Sequence, residues 1–425
     1  MKLENFKSID GSFDGRISKS IFYKNINKKF SHTILGKGQS ISGLPFEKNS
    51  KIIKLNQLNK IQIKGKGEVL VSADVTVVDL HNFLQKKNLY ASYFPSYPNV
   101  TIGGCVANCV HGINPKNGII SNYIKEIEII SSLNKPQKIS KTKNIQLFDT
   151  TIGGMGSTGV ILNVLLKVSK IKSSYLGIKK IKFNSLYGGY KILKRSKNFY
   201  NQNNFFINYE NNNFILGNIF TGDFIKKKIF YKKLKINYLP KLRLGLLANK
   251  FFIKIFYKTL YIMQNLFYKK KIHINDALYP SNSRIAYFAL MPKKFIEFQN
   301  IIPNENVRNY LFELENLIKK KNPTITLGHL KIFHGNKKLI RFNGNGLAIT
   351  LHLIIDDKFK DFYPNLLKLN IKYNCNLNLY KNSKINVSII KKTYRENFKI
   401  FKKNLSKSRT KNYTNSLFGK FQQNL

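Results

Sequence analysis

Over the first 172 residues, hydrophobic and polar positions alternate in short runs rich in β-branched side chains. Lys51-Ile52-Ile53-Lys54-Leu55, Ile61-Gln62-Ile63, Gly67-Glu68-Val69-Leu70-Val71 and Ile127-Glu128-Ile129-Ile130 predict strands. Residues 76–86 place Val77, Val78, Leu80 and Leu84 on one side of a predicted helix. The composition shifts near residue 173. From there to about residue 375 the chain is richer in aromatics and lysine and poorer in glycine. Residues 295–302 and 346–355 predict strands in this part, and residues 304–321 repeat Val307, Leu311, Leu314 and Leu317 at helical spacing. The last stretch, 376–425, is polar and basic and predicts helix towards its end. The pattern predicts an α+β chain with a first domain over 1–172, a second over 173–375 and a C-terminal segment over 376–425 that returns to the first domain.

Residues 244–271 stand apart. They are strongly apolar, yet Lys250, Lys254 and Lys258 recur every four residues and Lys269-Lys270-Lys271 close the run. Lysines four apart share one helix face. Two readings fit: a helix lying on an anionic membrane surface, and an ordinary cap helix whose lysines form its solvated stripe. No stretch approaches the length of uninterrupted apolar sequence that crosses a bilayer, and the opening residues, MKLENFKSIDGSF, are polar and lack an apolar signal core.

Charge sharpens the picture less than its size suggests. The chain carries 73 Lys+Arg against 21 Asp+Glu, a formal net charge of +52, with hydrophobic residues at 43%. That apolar share excludes a disordered chain, and 425 residues suffice for two or three domains' worth of core. The excess of cations fits a polyanionic partner: nucleic acid, an anionic membrane or a phosphorylated substrate. It equally fits an AT-rich coding sequence, because Lys, Asn, Ile, Phe and Tyr are abundant and Trp is absent. Arginine is scarce, which argues against a dedicated reader of DNA, and no nucleic-acid partner is expected. Cys105, Cys109 and Cys375 are too few for a disulfide framework and have no compact His/Cys set around them. They predict a reducing compartment, small buried fillers and no metal site.

Three glycine-rich stretches carry the chemistry. Residues 36–40 read GKGQS, residues 95–112 read PSYPNVTIGGCVANCVHG, and residues 151–161 read TIGGMGSTGVI. Glycine allows a backbone to approach a ligand closely, and the near absence of charge in so basic a chain predicts a ligand cradle. The dinucleotide fingerprint fails, because Gly36-Lys37-Gly38 is followed by Gln39-Ser40-Ile41 without the third glycine. No Walker A loop, serine nucleophile elbow, HExxH or protein-kinase set is present.

In order and spacing these stretches resemble the flavin-binding half of the vanillyl-alcohol-oxidase-type, or PCMH-type, FAD oxidoreductases. The similarity to their decaprenylphosphoryl-ribose oxidase branch extends through Phe298-Gln299 with Ile301-Ile302-Pro303, through Leu330-Lys331-Ile332-Phe333 and through Tyr380-Lys381-Asn382-Ser383. The resemblance implies a two-domain FAD-binding PCMH-type fold with an α/β substrate (cap) domain. It implies FAD held by Gly36, Lys37, Gly38, Gln39, Ser40, Ile41 and Ser42, and by Thr101, Ile102, Gly103 and Gly104. Backbone N–H groups of both loops are expected to serve the pyrophosphate. Pro95, Asn108, Cys109, Val110, His111, Gly112, Val160 and Asn378 are implied as further flavin contacts. Covalent relatives place a His where this chain has Gln39, so FAD is expected to be non-covalent. Lys381 and His111 are the implied catalytic residues, and Gln299, Lys331 and Thr350 the implied substrate contacts. His111 reads equally well as a structural hydrogen-bonder.

The branch usually has Tyr at Ile41, Asn at Ala348 and often Cys at Thr350. The motif after His111 runs Gly112-Ile113-Asn114-Pro115 without the lysine the branch carries. These departures strip polar groups from the substrate side and leave the sugar open. The resemblance implies oxidation of a secondary alcohol on a sugar-like substrate, a polyprenyl-phosphate-linked ribose in the nearest branch. There the reaction is half of an epimerisation in cell-envelope glycan synthesis, completed by a separate NAD(P)H-dependent reductase. A cytoplasmic enzyme, peripheral on the inner face of the cytoplasmic membrane, is expected. The rival enzyme reading is a sugar-1,4-lactone or alditol oxidase of the same superfamily. The rival from another class is a basic protein that binds nucleic acid or a membrane surface.

Overall fold

The computed structural model describes residues 3–7, 14–20, 32–42, 51–55, 58, 60–131, 135–207, 215–284, 287–382, 384–408 and 413. The helix expected towards the end of 376–425 falls in part on residues outside this set.

The first domain is built from two sheets. One joins β1 (Leu3–Lys7), β2 (Asp14–Ser20), β3 (His32–Leu35) and β4 (Lys51–Lys54) in the order β1-β2-β4-β3, with β3 and β4 parallel. The other is antiparallel, ordered β5-β6-β10-β8-β9, from β5 (Ile61–Ile63), β6 (Glu68–Ser72), β8 (Ile124–Ile130), β9 (Pro136–Ser140) and β10 (Val160–Lys167). The strands expected near residues 52, 62, 69 and 128 are therefore present. A small ribbon pairs β7 (Leu89–Tyr90) with β11 (Ser169–Lys170). Helix α1 (Val77–Gln85) begins where Thr76 accepts from the Asp79 N–H, and it buries Val77, Val78, Leu80 and Leu84 as the spacing predicts. Helix α2 (Ile102–Ala107) is capped in the same way by Thr101, which accepts from Gly104. Helix α3 (Ile145–Thr151) leads into the third glycine stretch.

The second domain centres on an eight-stranded sheet, ordered β15-β12-β14-β13-β17-β18-β16-β19. Its strands are β12 (Tyr175–Phe183), β13 (Tyr200–Ile207), β14 (Ile215–Phe224), β15 (Lys271–His273), β16 (Phe295–Pro303), β17 (Ile325–His334), β18 (Asn345–Ile354) and β19 (Asn376–Leu377). Side chains alternate across a sheet, and here the two faces have different partners. Phe298, Ile302, Leu330, Ile332, Leu347, Ile349, Leu351 and Leu353 share one buried core with four helices. Those helices are α4 (Leu186–Arg195), α9 (Val307–Lys321), α10 (Asp357–Lys372) and α11 (Val387–Lys407). The other face turns towards the first domain and towards α5 (Lys250–Leu266), with the short α6 (Ile274–Leu278), α7 (Pro280–Ser283) and α8 (Tyr287–Leu290) at its margin.

The C-terminal segment, expected to return to the first domain, is shared between the two. β19 pairs with β16, and α11 buries Ile390, Tyr394, Phe398 and Phe401 in the core of the second domain. Helix α11 also meets α3, and Tyr413 bridges to His32, which ties the segment to the first domain.

Candidate functional site

Strand parity builds the site. On the face away from the four-helix core, β16 presents Phe295, Glu297, Gln299 and Ile301 in turn. The neighbouring β18 presents Ile354, His352, Thr350 and Ala348, and β17 presents Leu327, His329, Lys331 and Phe333. Each strand thus carries two polar positions between two apolar ones. At one end Phe295, Ile354 and Leu327 pack in the cluster beneath α5. At the other, Ile301, Ala348 and Phe333 join the core of the first domain. The six polar side chains between form a staggered block walled by apolar contacts on both sides.

The block is densely bonded. Gln299 sits opposite Thr350 and donates from Nε2 to its Oγ1 at 2.9 Å, while accepting at Oε1 from Asn378 Nδ2 at 2.6 Å. Lys381, in the turn after β19, pairs with the buried Glu297. His352 stands 3.8 Å from the same carboxylate. Burial alone would raise the Glu297 carboxyl, but the Lys381 ammonium and then His352 outweigh it and hold it at about 2. Burial also lowers His352 and His329, His329 to about 3, while the Glu297 carboxylate pulls both the other way. Lys331 is brought down to about 7, first by burial and then by the Lys381 charge, with Glu297 pulling the other way.

His111 arrives from the first domain. Its ring meets Phe333 edge-on at 5.2 Å, and Lys331 Nζ reaches the carbonyl of Gly112 at 3.4 Å. His111 Nδ1 lies 2.9 Å from that same carbonyl. A carbonyl only accepts, so Nδ1 carries the proton and Nε2 is left as an acceptor. Burial, then the Lys331 and Lys381 charges, hold this imidazole well below its usual range. A small, shallow recess lies between Asn114, Lys116, Leu193, Asn201 and the Leu330–Ile332 stretch of β17. Lys116, one residue past the motif that lacks the expected lysine, donates to the carbonyls of Ser196 at 2.6 Å and Lys194 at 3.3 Å.

The three glycine stretches converge beside this block. In the first, Ser42 donates to the Tyr380 carbonyl at 3.2 Å, which sets residues 36–42 against the turn that carries Lys381. A Cβ on Gly36 would lie 2.3 Å from Thr101 Oγ1, so the first loop touches the start of α2 as only glycine allows. In the third, the N–H groups of Gly153 and Met155 donate to Val106 and Ala107 at the end of α2, and Tyr380 donates to the Gly153 carbonyl.

The expected N–H donors divide between the loops. Those of Ile102 and Gly103 are spent on Val75 and Ala73, and that of Gly104 caps onto Thr101. Gly103 is there for packing, with Ala73 Cβ 3.0 Å from where its own Cβ would stand. Among the described residues, nothing accepts from the N–H groups of residues 36–42, whose only bonds are the Gln39 side chain to the Lys37 carbonyl and the Ser42 hydroxyl to Tyr380. A loop of unspent donors with Gly38 at φ +69° suits a phosphate group.

Asn108, Cys109, Val110, His111 and Gly112 follow α2 directly towards the block, with Cys109 in the left-handed region at φ +45°. Asn378 lies inside the block. Pro95 sits half-buried in the loop before α2, and Val160 is fully buried on β10 against Ile53, Ile130 and Tyr413. All three cysteines are buried, and among the described residues no group of His, Cys, Asp and Glu could hold a metal. Glu297, His352 and His329 were not singled out by motif. The alternation in Phe295-Ile296-Glu297-Phe298-Gln299 signals them, because it puts Glu297 on the same face as Gln299.

The first domain is an FAD-binding domain. The family profile described as "FAD binding domain" matches residues 25–139. The chain is 28% identical to L-gulonolactone oxidase of Mus musculus over 143 residues, which cover 33% of this chain and 32% of that protein. It is 26% identical to D-arabinono-1,4-lactone oxidase of Debaryomyces hansenii over 156 residues, 33% of this chain and 28% of the relative. It is 26% identical to decaprenylphosphoryl-beta-D-ribose oxidase of Mycolicibacterium smegmatis over 128 residues, 29% of this chain and 28% of the relative. The chain matches about a third of the length of these relatives. Residues 25–139 thus carry an FAD-binding domain, with FAD as its cofactor.

Proposed function

We propose that the protein is an FAD-dependent oxidoreductase that oxidises a secondary alcohol of a sugar-like substrate, a polyprenyl-phosphate-linked pentose. The observation that supports it is the juxtaposition of the Lys381–Glu297 pair and the buried Lys331 with the loop over residues 36–42, whose N–H groups meet no acceptor among the described residues. Bound FAD supplies a hydride acceptor. Residues 36–42 hold its pyrophosphate through backbone N–H groups, and Tyr380, through its main-chain bond to Ser42, ties that loop to the catalytic turn. Lys381, fixed by Glu297, orients the alcohol oxygen and stabilises negative charge that develops there. Lys331 in its neutral form accepts the hydroxyl proton, and near its pKa of about 7 it can release that proton to solvent afterwards. His111 and Gln299 position the substrate through the His111 acceptor nitrogen and the Gln299 amide. FAD is held without a covalent bond, because Gln39 stands where linkage would need a histidine.

A second reading, a sugar-1,4-lactone oxidase, is favoured by the names of two of the relatives. Those similarities cover about a third of this chain. Anaerobic mixing separates the two. Bleaching of the flavin by a polyprenyl-phosphate pentose and not by free lactones supports the first reading. Bleaching by lactones alone overturns it, and a colourless protein that cannot be loaded with FAD overturns both.

A further inference from the structure

Helix α5 is apolar on the side that faces out. Its inner side is firmly docked. Ile253 and Tyr257 are buried, and Tyr257 stacks on Phe206 with ring centroids 4.1 Å apart. Lys250 donates to the Asn322 carbonyl at 2.8 Å, and Lys180 to Asn265 Oδ1 at 2.7 Å. Residues 253, 257, 260 and 264 therefore mark the docked stripe. At 100° per residue the opposite side holds Phe251, Ile255, Ile262 and Leu266 with Thr259, and Phe252 and Met263 flank it. All six apolar side chains are exposed, Phe251 to 64% and Leu266 to 68%. Water-soluble surfaces rarely gather so many large apolar side chains in one place. Lys254 and Lys258 run along one edge of this surface, and Lys269, Lys270 and Lys271 follow its C-terminal end.

The charge around the helix is denser than that of the chain as a whole. Between Asp223 and Asp276 lie 52 residues with 14 lysines or arginines and no acidic residue. The whole chain nets +52 over 425 residues, less than half that density. Base-composition drift acts on the whole chain and does not account for a local excess of this kind.

We propose that α5 and its flanks form an interfacial anchor that lies in the surface of an anionic lipid membrane, with the Phe251–Leu266 side in the acyl boundary and the lysines on the headgroups. No described helix is long and apolar enough to span a bilayer, so the contact is a one-sided one. A second copy of this chain fits less well, because two such faces would bring their lysines together. The anchor also lies next to the site. Its buried Tyr257 and the cluster beneath it contact Phe295, Ile354 and Leu327, which wall the polar block, and Tyr287 in the same cluster reaches His352 Nδ1 at 3.2 Å. A lipid-linked substrate held at the membrane surface would therefore enter beside the catalytic lysines. The membrane contact itself does not depend on the flavin or on the substrate.

The test is vesicle co-sedimentation of the full chain, with flavin content read separately from the visible spectrum. Vesicles of phosphatidylcholine with phosphatidylglycerol are compared with phosphatidylcholine alone. Binding to the anionic vesicles that weakens with salt is expected. Phe251→Gln with Leu266→Gln should lower the partition by about tenfold or more, since each replacement removes a large side chain from the apolar phase. Lys254→Gln with Lys258→Gln should lower it ~10-fold and flatten the salt dependence. These side chains face out, so unchanged thermal melts are expected and separate lost binding from lost folding. An environment-sensitive dye on Ile262→Cys should shift to the blue with anionic vesicles; the native cysteines are buried and stay unlabelled. Absence of binding to anionic vesicles overturns the proposal. So does a stable dimer in solution that the Phe251→Gln/Leu266→Gln variant breaks into monomers.

Discussion

Replacing Lys381 with methionine separates its electrostatic role from its place in the fold. The Glu297 carboxyl is held at about 2 against a usual 4.5, although burial acts in the opposite direction. That interval, about 2.5 pH units, corresponds to roughly 3 kcal/mol favouring the ionised form in the folded protein, most of it from Lys381. Both partners are well shielded, with 8% of the Glu297 side chain and 29% of the Lys381 side chain exposed. Lys381→Met leaves the carboxylate buried with only His352 and His329 acting on it. A loss of about 3 kcal/mol is expected at neutral pH, within the range for breaking a buried pair. Glu297 has a depressed folded pKa, so its contribution is present above about 4.5 and fades as the pH falls towards 2. The gap between wild type and variant should shrink over that window. Lys381→Met with Glu297→Gln removes both charges and should recover most of the stability, while turnover stays down by a factor of about 10² or more. Chemical denaturation at several pH values, flavin occupancy from the visible spectrum and anaerobic flavin reduction measure the three quantities. A single variant as stable as wild type at pH 7, or a double variant no better than the single, would refute the ion-pair account. Equal turnover in wild type and double variant would remove Lys381 from the chemistry.

If neutral Lys331 is the proton acceptor, kcat/KM should rise through about pH 7 and then level off, and Lys331→Arg should abolish the rise because a guanidinium stays protonated; a flat profile from pH 6 to 8.5 counts against it. Gly112→Ala places a Cβ 1.9 Å from the Ser92 carbonyl oxygen and 2.9 Å from its carbon, both backbone atoms that cannot give way. It should cost more than ~2 kcal/mol and loosen FAD through His111. Gly65→Ala meets open space and bears only the strain of φ +95°, so a cost of about 1 kcal/mol is expected in the same denaturation assay. Equal costs at the two glycines would show that the close approach of Gly112 does not matter. Acid precipitation should release FAD into the supernatant, and flavin retained in the pellet would contradict the inference from Gln39. Burial raises the thiol pKa of Cys105, Cys109 and Cys375, so a thiol reagent should leave the native protein unmodified and label it only after unfolding.

Much of this was legible in the chain. The strand over 295–302, the helix with Val307, Leu311 and Leu314, and the convergence of three glycine stretches could all be read from local pattern, because each depends on periodicity or on glycine's freedom. Register could not. Gln299 meets Thr350, and Glu297 meets His352, only through a pairing between strands some fifty residues apart, which loop closure and not local propensity decides. The use of the N–H groups was hidden for the same reason. Gly103 reads as a phosphate contact until its donor is found on Ala73, far back in the chain. For residues 244–271 the sequence left two orientations open, because a helix apolar on most sides has no pattern that says which side docks. The stacking of Tyr257 on Phe206 decides that.

The polar block and the outward face of α5 share one structural cause. A buried carboxylate such as Glu297 is tolerable only if its partners are complete and water is kept from competing for them. The sheet meets this need by bracketing Glu297, His352 and His329 with apolar side chains on the same strands, and those side chains must themselves be covered. The first domain covers Ile301, Ala348 and Phe333. At the far end α5 covers Phe295, Ile354 and Leu327, and only its inner stripe is needed for that. The outer stripe is therefore free of any demand from the core, and a solvated helix of this length would carry polar residues there. That it instead carries Phe251, Ile255, Ile262 and Leu266 implies a second, external apolar phase. With α5 as the proposed anchor, the polar groups that would turn over an alcohol would sit between a flavin domain on one side and a lipid surface on the other, the arrangement a membrane-borne sugar would require.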